Sequence, residues 1–306
     1  MLQKAALLVA LLLVGCSEQP PQETLKFRGI AMTIPFEVQT EETASIEEVS
    51  QIIRDTFAYV DLHYNKFNPN SELSSINKSK AGVTLPLSEG LYTLLKETDR
   101  VRKLTHGYFD PKVEPFHKLW KTAVSQGTLP SQDALKNASI GWEKVHFDQK
   151  SIVKDSDALE IDLGGIAKGY AVDLLYERLK AANVRHLYVE WGGEIRVSKE
   201  HPSKRPWRIA LNSDRFLELS DQSCATSGDS EQFWTVDETD YFHILNPKTM
   251  ELLKRKASTG KNRTVIAPTC TLADGVATTL FFFEGKELED YVKELKDAMP
   301  ALEIVL

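Results

Sequence analysis

The chain has 306 residues, of which 42% are hydrophobic and 26% charged, enough apolar material for a sizeable core and too much for general disorder. Its formal net charge is −7 and it has no Lys/Arg block, which argues against nucleic acid as the main partner. Any phosphate chemistry must therefore be local, and the length allows one large domain or two.

The first residues, Met1 to Lys4, precede an unbroken apolar run from Ala5 to Val14, so residues 1–15 read as a signal peptide. A membrane-spanning helix needs about 20 apolar residues, so a retained transmembrane anchor is not expected. Leu13-Val14-Gly15-Cys16 resembles the lipobox of bacterial lipoproteins, in which Cys16 is lipidated and becomes the new N-terminus. Ordinary cleavage with an incidental Cys16 is the alternative. Residues 16–24, with Pro20-Pro21, read as a flexible tether, and residues 25–306 as the folded part. Lipidation implies attachment to a bacterial cell membrane, with the periplasmic face of the inner membrane expected. Two cysteines then remain, Cys224 and Cys270, too few for a disulfide framework. They pair with each other or, the favoured reading, stand as separate buried residues.

Ile46, Val49, Ile53, Phe57, Val60 and Tyr64 recur at helical spacing behind a Ser45/Glu48 capping box, which predicts a helix over 45–65. Ser88 opens a second helix through Leu91, Leu95, Val101 and Leu104, stopped at Gly107, where glycine suits a left-handed cap. A loop carrying Tyr108-Phe109-Asp110-Pro111 follows. Strand signals then cover 145–147, 158–161, 187–191, 195–197, 207–211 and 265–267, with helices over 167–182 and 286–298. The apolar end Ile304-Val305-Leu306 suits an edge strand. Strands and helices do not alternate regularly, so the expected class is α+β: mixed sheets with flanking helices, one large domain with two subregions.

Three segments carry chemistry. Asp162-Leu163-Gly164-Gly165-Ile166-Ala167-Lys168 reads as strand, glycine turn and helix start, where backbone N–H groups and the Lys168 ammonium form an anion site able to take a pyrophosphate. A plain turn with a surface lysine is equally open. Asp274 and Thr278, four apart ahead of the run Leu280 to Phe283, put a carboxylate and a hydroxyl on one helix face. These are hard oxygen donors of the kind magnesium takes, and the other reading makes Asp274 an N-cap and Thr278 a core residue. His243, in an apolar stretch before Asn246-Pro247, is either a base or a satisfied core histidine. Upstream, Ala225-Thr226-Ser227-Gly228-Asp229 reads as a loop of small residues that lets backbone approach a ligand.

Taken in order, "FNPNSELSSIN" (67–77), "THGYFDPKVEPFHKLW" (105–120), "DLGGIAKGYAVD", "WGGEIRV", "ATSGD", "HILNPKT" and "ADGVATTLFF" closely resemble the ApbE family of FAD:protein FMN transferases. The resemblance runs from about Gly29 to Phe283. It implies an enzyme that uses magnesium and FAD, transfers FMN to a Thr or Ser hydroxyl of an acceptor protein through a phosphoester, and releases AMP. By the same resemblance Met32, Phe67, Tyr108, Phe109, Asp110, Asp162 and Lys168 contact FAD. The Gly165 carbonyl, Asp274 and Thr278 hold Mg2+, and His243 is the candidate base. The implied acceptors are membrane redox subunits, such as flavin-carrying subunits of NADH:quinone reductase or Rnf-type complexes.

The chain departs from the family's pattern at Thr33, where glycine is usual, at Asn246, where aspartate is usual, and at Met250, where glycine is usual. Two other functions remain open: a magnesium-dependent FAD pyrophosphatase that passes FMN to water, and a non-catalytic lipoprotein that stores flavin.

Overall fold

The computed structural model describes residues 24–138, 141–211, 214–228, 233–254 and 262–306. The signal peptide, Cys16, the tether up to residue 23 and Asp229 lie outside them. The fold opens on a hairpin, β1 (Thr24–Ala31) and β2 (Ile34–Glu41), so Thr24, expected at the end of the tether, is already in a strand. There follow α1 (Ile46–His63), α2 (Glu72–Lys78), β3 (Leu85–Pro86), α3 (Glu89–Leu104), α4 (Glu114–Ser125) and α5 (Gln132–Ala138). Next come β4 (Val145–Phe147), β5 (Ser151–Lys154), α6 (Ala167–Ala181), β6 (Tyr188–Trp191), β7 (Glu194–Val197), β8 (Trp207–Ala210) and β9 (Phe216–Leu219). The last third holds β10 (Ser223–Gly228), β11 (Phe233–Val236), β12 (Thr239–Asn246), β13 (Glu251–Lys254), β14 (Asn262–Ala267), α7 (Cys270–Ala277), α8 (Gly285–Ala298) and β15 (Glu303–Val305).

The helix starts follow the capping chemistry. Ser45 Oγ accepts the Glu48 N–H at 3.3 Å, and Ser88 Oγ accepts that of Leu91 at 3.3 Å. The α3 end closes on Gly107, which has φ +76° and donates its N–H to Arg102 O at 2.7 Å.

A seven-stranded sheet, in the order β1-β2-β6-β7-β10-β14-β15, organises the molecule, and each neighbouring pair is antiparallel. Because strand side chains alternate, its two faces build two separate cores. On the front face Val38, Val189, Trp191, Ala225, Val265 and Ala267 join the main cluster with α1, α3, α6 and α7. On the back face Ile195, Val197, Cys224 and Ile266 pack under the two-stranded ribbon of β8 and β9 through Trp207, Ile209 and Leu219. A third cluster joins Phe116 and Trp120 of α4 to Tyr241, Leu245 and Leu252 of the β11-β12-β13 sheet. The class is α+β, as the irregular order of elements predicts. Cys224 and Cys270 are free and buried, and burial pushes the Cys224 thiol up to about 12.

Two sequence expectations need correction. Residues 158–161 are not a strand, although Leu159 and Ile161 are fully buried. The Asn77 amide supplies what a neighbouring strand would: its Oδ1 accepts the Ile161 N–H at 2.8 Å and its Nδ2 donates to Ile161 O at 2.9 Å. Lys154, itself buried, donates to Leu159 O at 2.7 Å. Residues 225–228 are not a loop but part of β10, an interior strand paired with β7 and β14, where small side chains suit the tight packing under α7. Among the described residues no helix is long and apolar enough to cross a membrane.

Candidate functional site

The centre of the site is the crossing of α6 and α7. The α7 N-cap is Thr269, whose side chain accepts the Leu272 N–H at 3.3 Å, so Asp274 lies inside the helix and not at its start. Asp274 instead caps the other helix. Its Oδ2 accepts the Gly169 N–H at 2.9 Å, one of the first-turn donors that α6 cannot satisfy internally. A Cβ on Gly169 would stand 2.4 Å from Cys270 O and 2.8 Å from Asp274 Cβ, so only glycine lets the helices approach this closely. Since the Gly169 N–H goes to Asp274, it does not occupy the Gly165 carbonyl four residues back. One turn beyond Asp274, the Thr278 hydroxyl lies 3.1 Å from Ser227 Oγ at the end of β10.

Lys168, in the first turn of α6, does not wait for an external anion. Its Nζ donates to Glu194 Oε1 at 2.6 Å. Glu194 is 2% exposed, and among the described residues its other oxygen has no hydrogen-bond partner. Burial alone would lower the Lys168 ammonium; Glu194, then Asp274, hold it above its ordinary value. Burial, then the charge of Asp274, push Glu194 well above the usual carboxylate range, against the pull of Lys168. Burial likewise raises Asp274, with Lys168 and the Gly169 N–H opposing. One ammonium thus serves two buried carboxyls, both of which burial pushes toward the neutral form, and the Thr278 hydroxyl follows Asp274 by one helical turn. That donor set fits a small divalent cation.

A second group surrounds Asp162. Its carboxylate accepts from Lys66 Nζ at 2.8 Å and from the Gly164 N–H at 2.7 Å, and lies 3.3 Å from His117 Nδ1. Burial alone would raise this carboxyl, but His117 and Lys66 more than offset it and hold it well below the usual range. Lys66 also bridges to Glu114 Oε2 at 2.5 Å. Glu114, His117 and Asp162 offer ligand atoms within 4.8 Å of one another, as a metal site would, yet the Lys66 ammonium already provides the cation there. Next to it Phe67 is 82% exposed, its ring 5.1 Å from Lys66 Nζ.

The loop after α3 closes on the same place. The Asp162 N–H donates to Pro111 O at 2.6 Å, and a Cβ on Gly165 would stand 3.4 Å from the buried Phe109 ring. Asp110 holds Lys112 through its N–H at 3.1 Å and its ammonium at 3.3 Å. Tyr108 stacks on Phe282 and meets Phe283 edge-on, with Lys248 Nζ 5.4 Å from its ring. Met32 forms the tip of the β1–β2 hairpin, where Ile34 packs close to Gly192 beside Lys168.

His243 is half-buried in β12 between the buried Phe242 and Ile244, three residues before the turn that carries Lys248 to Tyr108. That turn accounts for two departures from the family's pattern. Asn246 Oδ1 accepts the Lys248 N–H at 2.9 Å, which needs no charge on the side chain, and Met250 has φ +61°, a conformation that glycine adopts without strain. At the other departure Met32 and Thr33 have φ +47° and +70°.

The structure thus joins Asp162, Gly165 and Phe109 in one group and Lys168, Gly169 and Asp274 in another, linked by the turn from Gly164 to Ala167. Sequence reasoning missed Lys66, Glu114, His117 and Glu194. The Glu114/His117 spacing of three on a helix was the one signal available for the first group; Glu194 looked like any strand residue.

The chain matches the ApbE family over residues 31–302. It is 38% identical to the FAD:protein FMN transferase of Chlamydia pneumoniae over 94% of this chain and 93% of that one. To the Vibrio cholerae enzyme of the same name it is 29% identical, over 98% of this chain and 92% of that one. Its fold superposes on the flavinyl transferase ApbE of Pseudomonas stutzeri with a TM-score of 0.78 at 26% identity, covering 88% of each chain. The Thermotoga maritima ApbE protein also gives a TM-score of 0.78, at 26% identity, over 92% of this chain and 93% of that one. Sequence and fold agree over nearly the whole of the described chain, and this protein belongs to the ApbE family.

Proposed function

We propose that this protein transfers the FMN half of FAD to a Thr or Ser hydroxyl of an acceptor protein, forming a phosphoester and releasing AMP. Family membership and the names of its relatives support the reaction. The observation that carries it for this chain is the pair of buried carboxyls at the α6–α7 crossing, Glu194 and Asp274, which share the Lys168 ammonium. Magnesium would be held by Asp274, Thr278 and the Gly165 carbonyl, and when bound it neutralises charge on the pyrophosphate and the departing AMP.

The chain's own residues bind and orient. Met32, Phe67, Tyr108, Phe109, Asp110 and Asp162 surround the flavin end, and the exposed Phe67 ring offers an apolar face. Lys168, while paired with Glu194, brings its ammonium toward the phosphates. His243 takes the proton of the acceptor hydroxyl as its oxygen bonds to phosphorus and the bond to AMP breaks. Exposure of Phe67 and Gly164 leaves the approach open to water, so hydrolysis to FMN and AMP is the competing outcome.

The acceptors proposed are flavin-carrying membrane redox subunits, met at the periplasmic face of the inner membrane by an enzyme anchored through Cys16. Incubation with FAD, magnesium and such a subunit should give an FMN-sized mass adduct and an equal amount of AMP. AMP without adduct would identify a pyrophosphatase. Cys16→Ala should release the protein from the membrane fraction without loss of transfer in solution; loss of activity in folded, soluble protein would contradict a separate anchor.

A further inference from the structure

The back face of the large sheet, opposite the α6–α7 crossing, carries a cleft of about 750 Å³ between the sheet and the segment from His201 to Ala210. Strand register builds its floor. Lys26 on β1 pairs with Gln39 on β2, and Gln39 with Tyr188 on β6, which places the three side by side across the sheet. Trp207 walls the cleft, its ring 5.7 Å from Tyr188 and 4.8 Å from His201. Arg205 and Arg208 are exposed beside it, the latter stacked on Phe216 at 3.9 Å.

The charged side chains of the lining are all basic. Among the described residues Lys26, Arg205 and Arg208 form no ion pair, and no carboxylate lines the cleft. The neighbouring row holds Glu37 and Glu190, but Arg28 engages Glu37 at 2.6 Å and Glu190 accepts the Gly193 N–H at 3.0 Å. Trp207 is 3% exposed, and among the described residues its buried Nε1–H has no acceptor. His201 Nδ1 accepts the Ser203 N–H at 3.1 Å, which leaves Nε2 as a donor. Burial keeps the Tyr188 hydroxyl protonated. In a chain of net charge −7, three cations without an ion-pair partner among the described residues, gathered around Tyr188 and Trp207, form a concentrated exception.

We infer that this cleft binds the phosphate of an anionic phospholipid headgroup and docks the back face on the membrane. The geometry of the chain selects this source of phosphate. Thr24 lines the cleft, and Cys16, the anchor proposed above, lies eight residues before it. Eight residues reach at most about 28 Å when extended and roughly 16 Å as a flexible chain. The lipidated end therefore holds the cleft within reach of headgroups and turns the α6–α7 crossing away from the bilayer, toward an acceptor.

The test uses the chain from residue 16 onward with Cys16→Ser, which keeps every described residue and carries no lipid, so its result does not depend on lipidation or on flavin transfer. Co-sedimentation is measured with phosphatidylcholine vesicles and with vesicles also containing phosphatidylglycerol. Binding is expected only to the latter. Removing Lys26, Arg205 and Arg208 together (K26S/R205S/R208S) should lower the partition coefficient about a hundredfold, roughly fivefold per basic residue. The same charge change on α8, on the front side (K286S/K293S/K296S), should leave binding unchanged, as should the unfolding midpoint of the first variant. Equal binding to both vesicle types, equal loss in both triple variants, or displacement by micromolar free glycerol phosphate would overturn the inference; the last would mark a soluble phosphate ester as the ligand.

Discussion

Lys168 Nζ lies 2.6 Å from Glu194 Oε1, across 26 residues of sequence, and this pair settles how a cation is tolerated at the N-terminus of α6. A helix N-terminus disfavours positive charge, which suggests that only a bound anion could justify Lys168. The chain supplies that anion itself. Lys168→Ala should therefore weaken FAD binding and also destabilise the ligand-free protein by about 2–4 kcal/mol, because a buried carboxyl loses its partner. Glu194→Gln added to Lys168→Met should recover most of the loss. Denaturant unfolding of the apo-protein measures both; an unchanged or raised stability in Lys168→Ala would refute the pairing.

Thr33 and Met250 hold left-handed backbone, with φ +70° and +61°. A β-branched residue is strained there, so Thr33→Gly should stabilise by about 1 kcal/mol despite the entropy that glycine adds to the unfolded chain, and Met250→Gly by somewhat less because its side chain packs beside the Trp120 cluster. Urea midpoints give the answer, and destabilisation by Thr33→Gly would show that the turn is not strained.

Asp162 makes stability depend on acid. Its folded value lies well below the unfolded one, so its contribution is fully present above about pH 4 and is lost as pH falls toward the folded value. Asp162→Asn should cost about 2–4 kcal/mol at neutral pH, since Lys66 and His117 lose their shared anion. The difference in melting temperature between the two proteins should stay constant down to about pH 4 and narrow below it. A gap independent of pH throughout would mean that the charge of Asp162 contributes nothing.

The parts of the site legible in the sequence are those built by local periodicity. Asp274 and Thr278 stand one helical turn apart, and Gly164-Gly165 precedes Lys168, so spacing alone brings them together. Lys66 and Asp162 are 96 residues apart, and no local pattern announces such a pair. The N-terminal hairpin escaped because its turn is Met32-Thr33 and lacks the expected glycine. Helix α4 escaped because Val113 offers no side-chain cap and Pro115 reads as a break, although proline suits a first turn. Strand reasoning failed at 158–161 because an asparagine side chain, not a neighbouring strand, satisfies that backbone.

The central claim is that the carboxylate of Asp274 serves a cation in flavin transfer. Asp274→Asn is the most direct probe, since the amide oxygen still accepts the Gly169 N–H and keeps the α6 cap while the charge is gone. AMP release and the FMN adduct on an acceptor subunit should be followed over a magnesium titration, with FAD binding measured in parallel. The account predicts that the variant loses magnesium-dependent transfer while FAD binding falls much less. Transfer by Asp274→Asn at the wild-type rate and with the same magnesium dependence would contradict it.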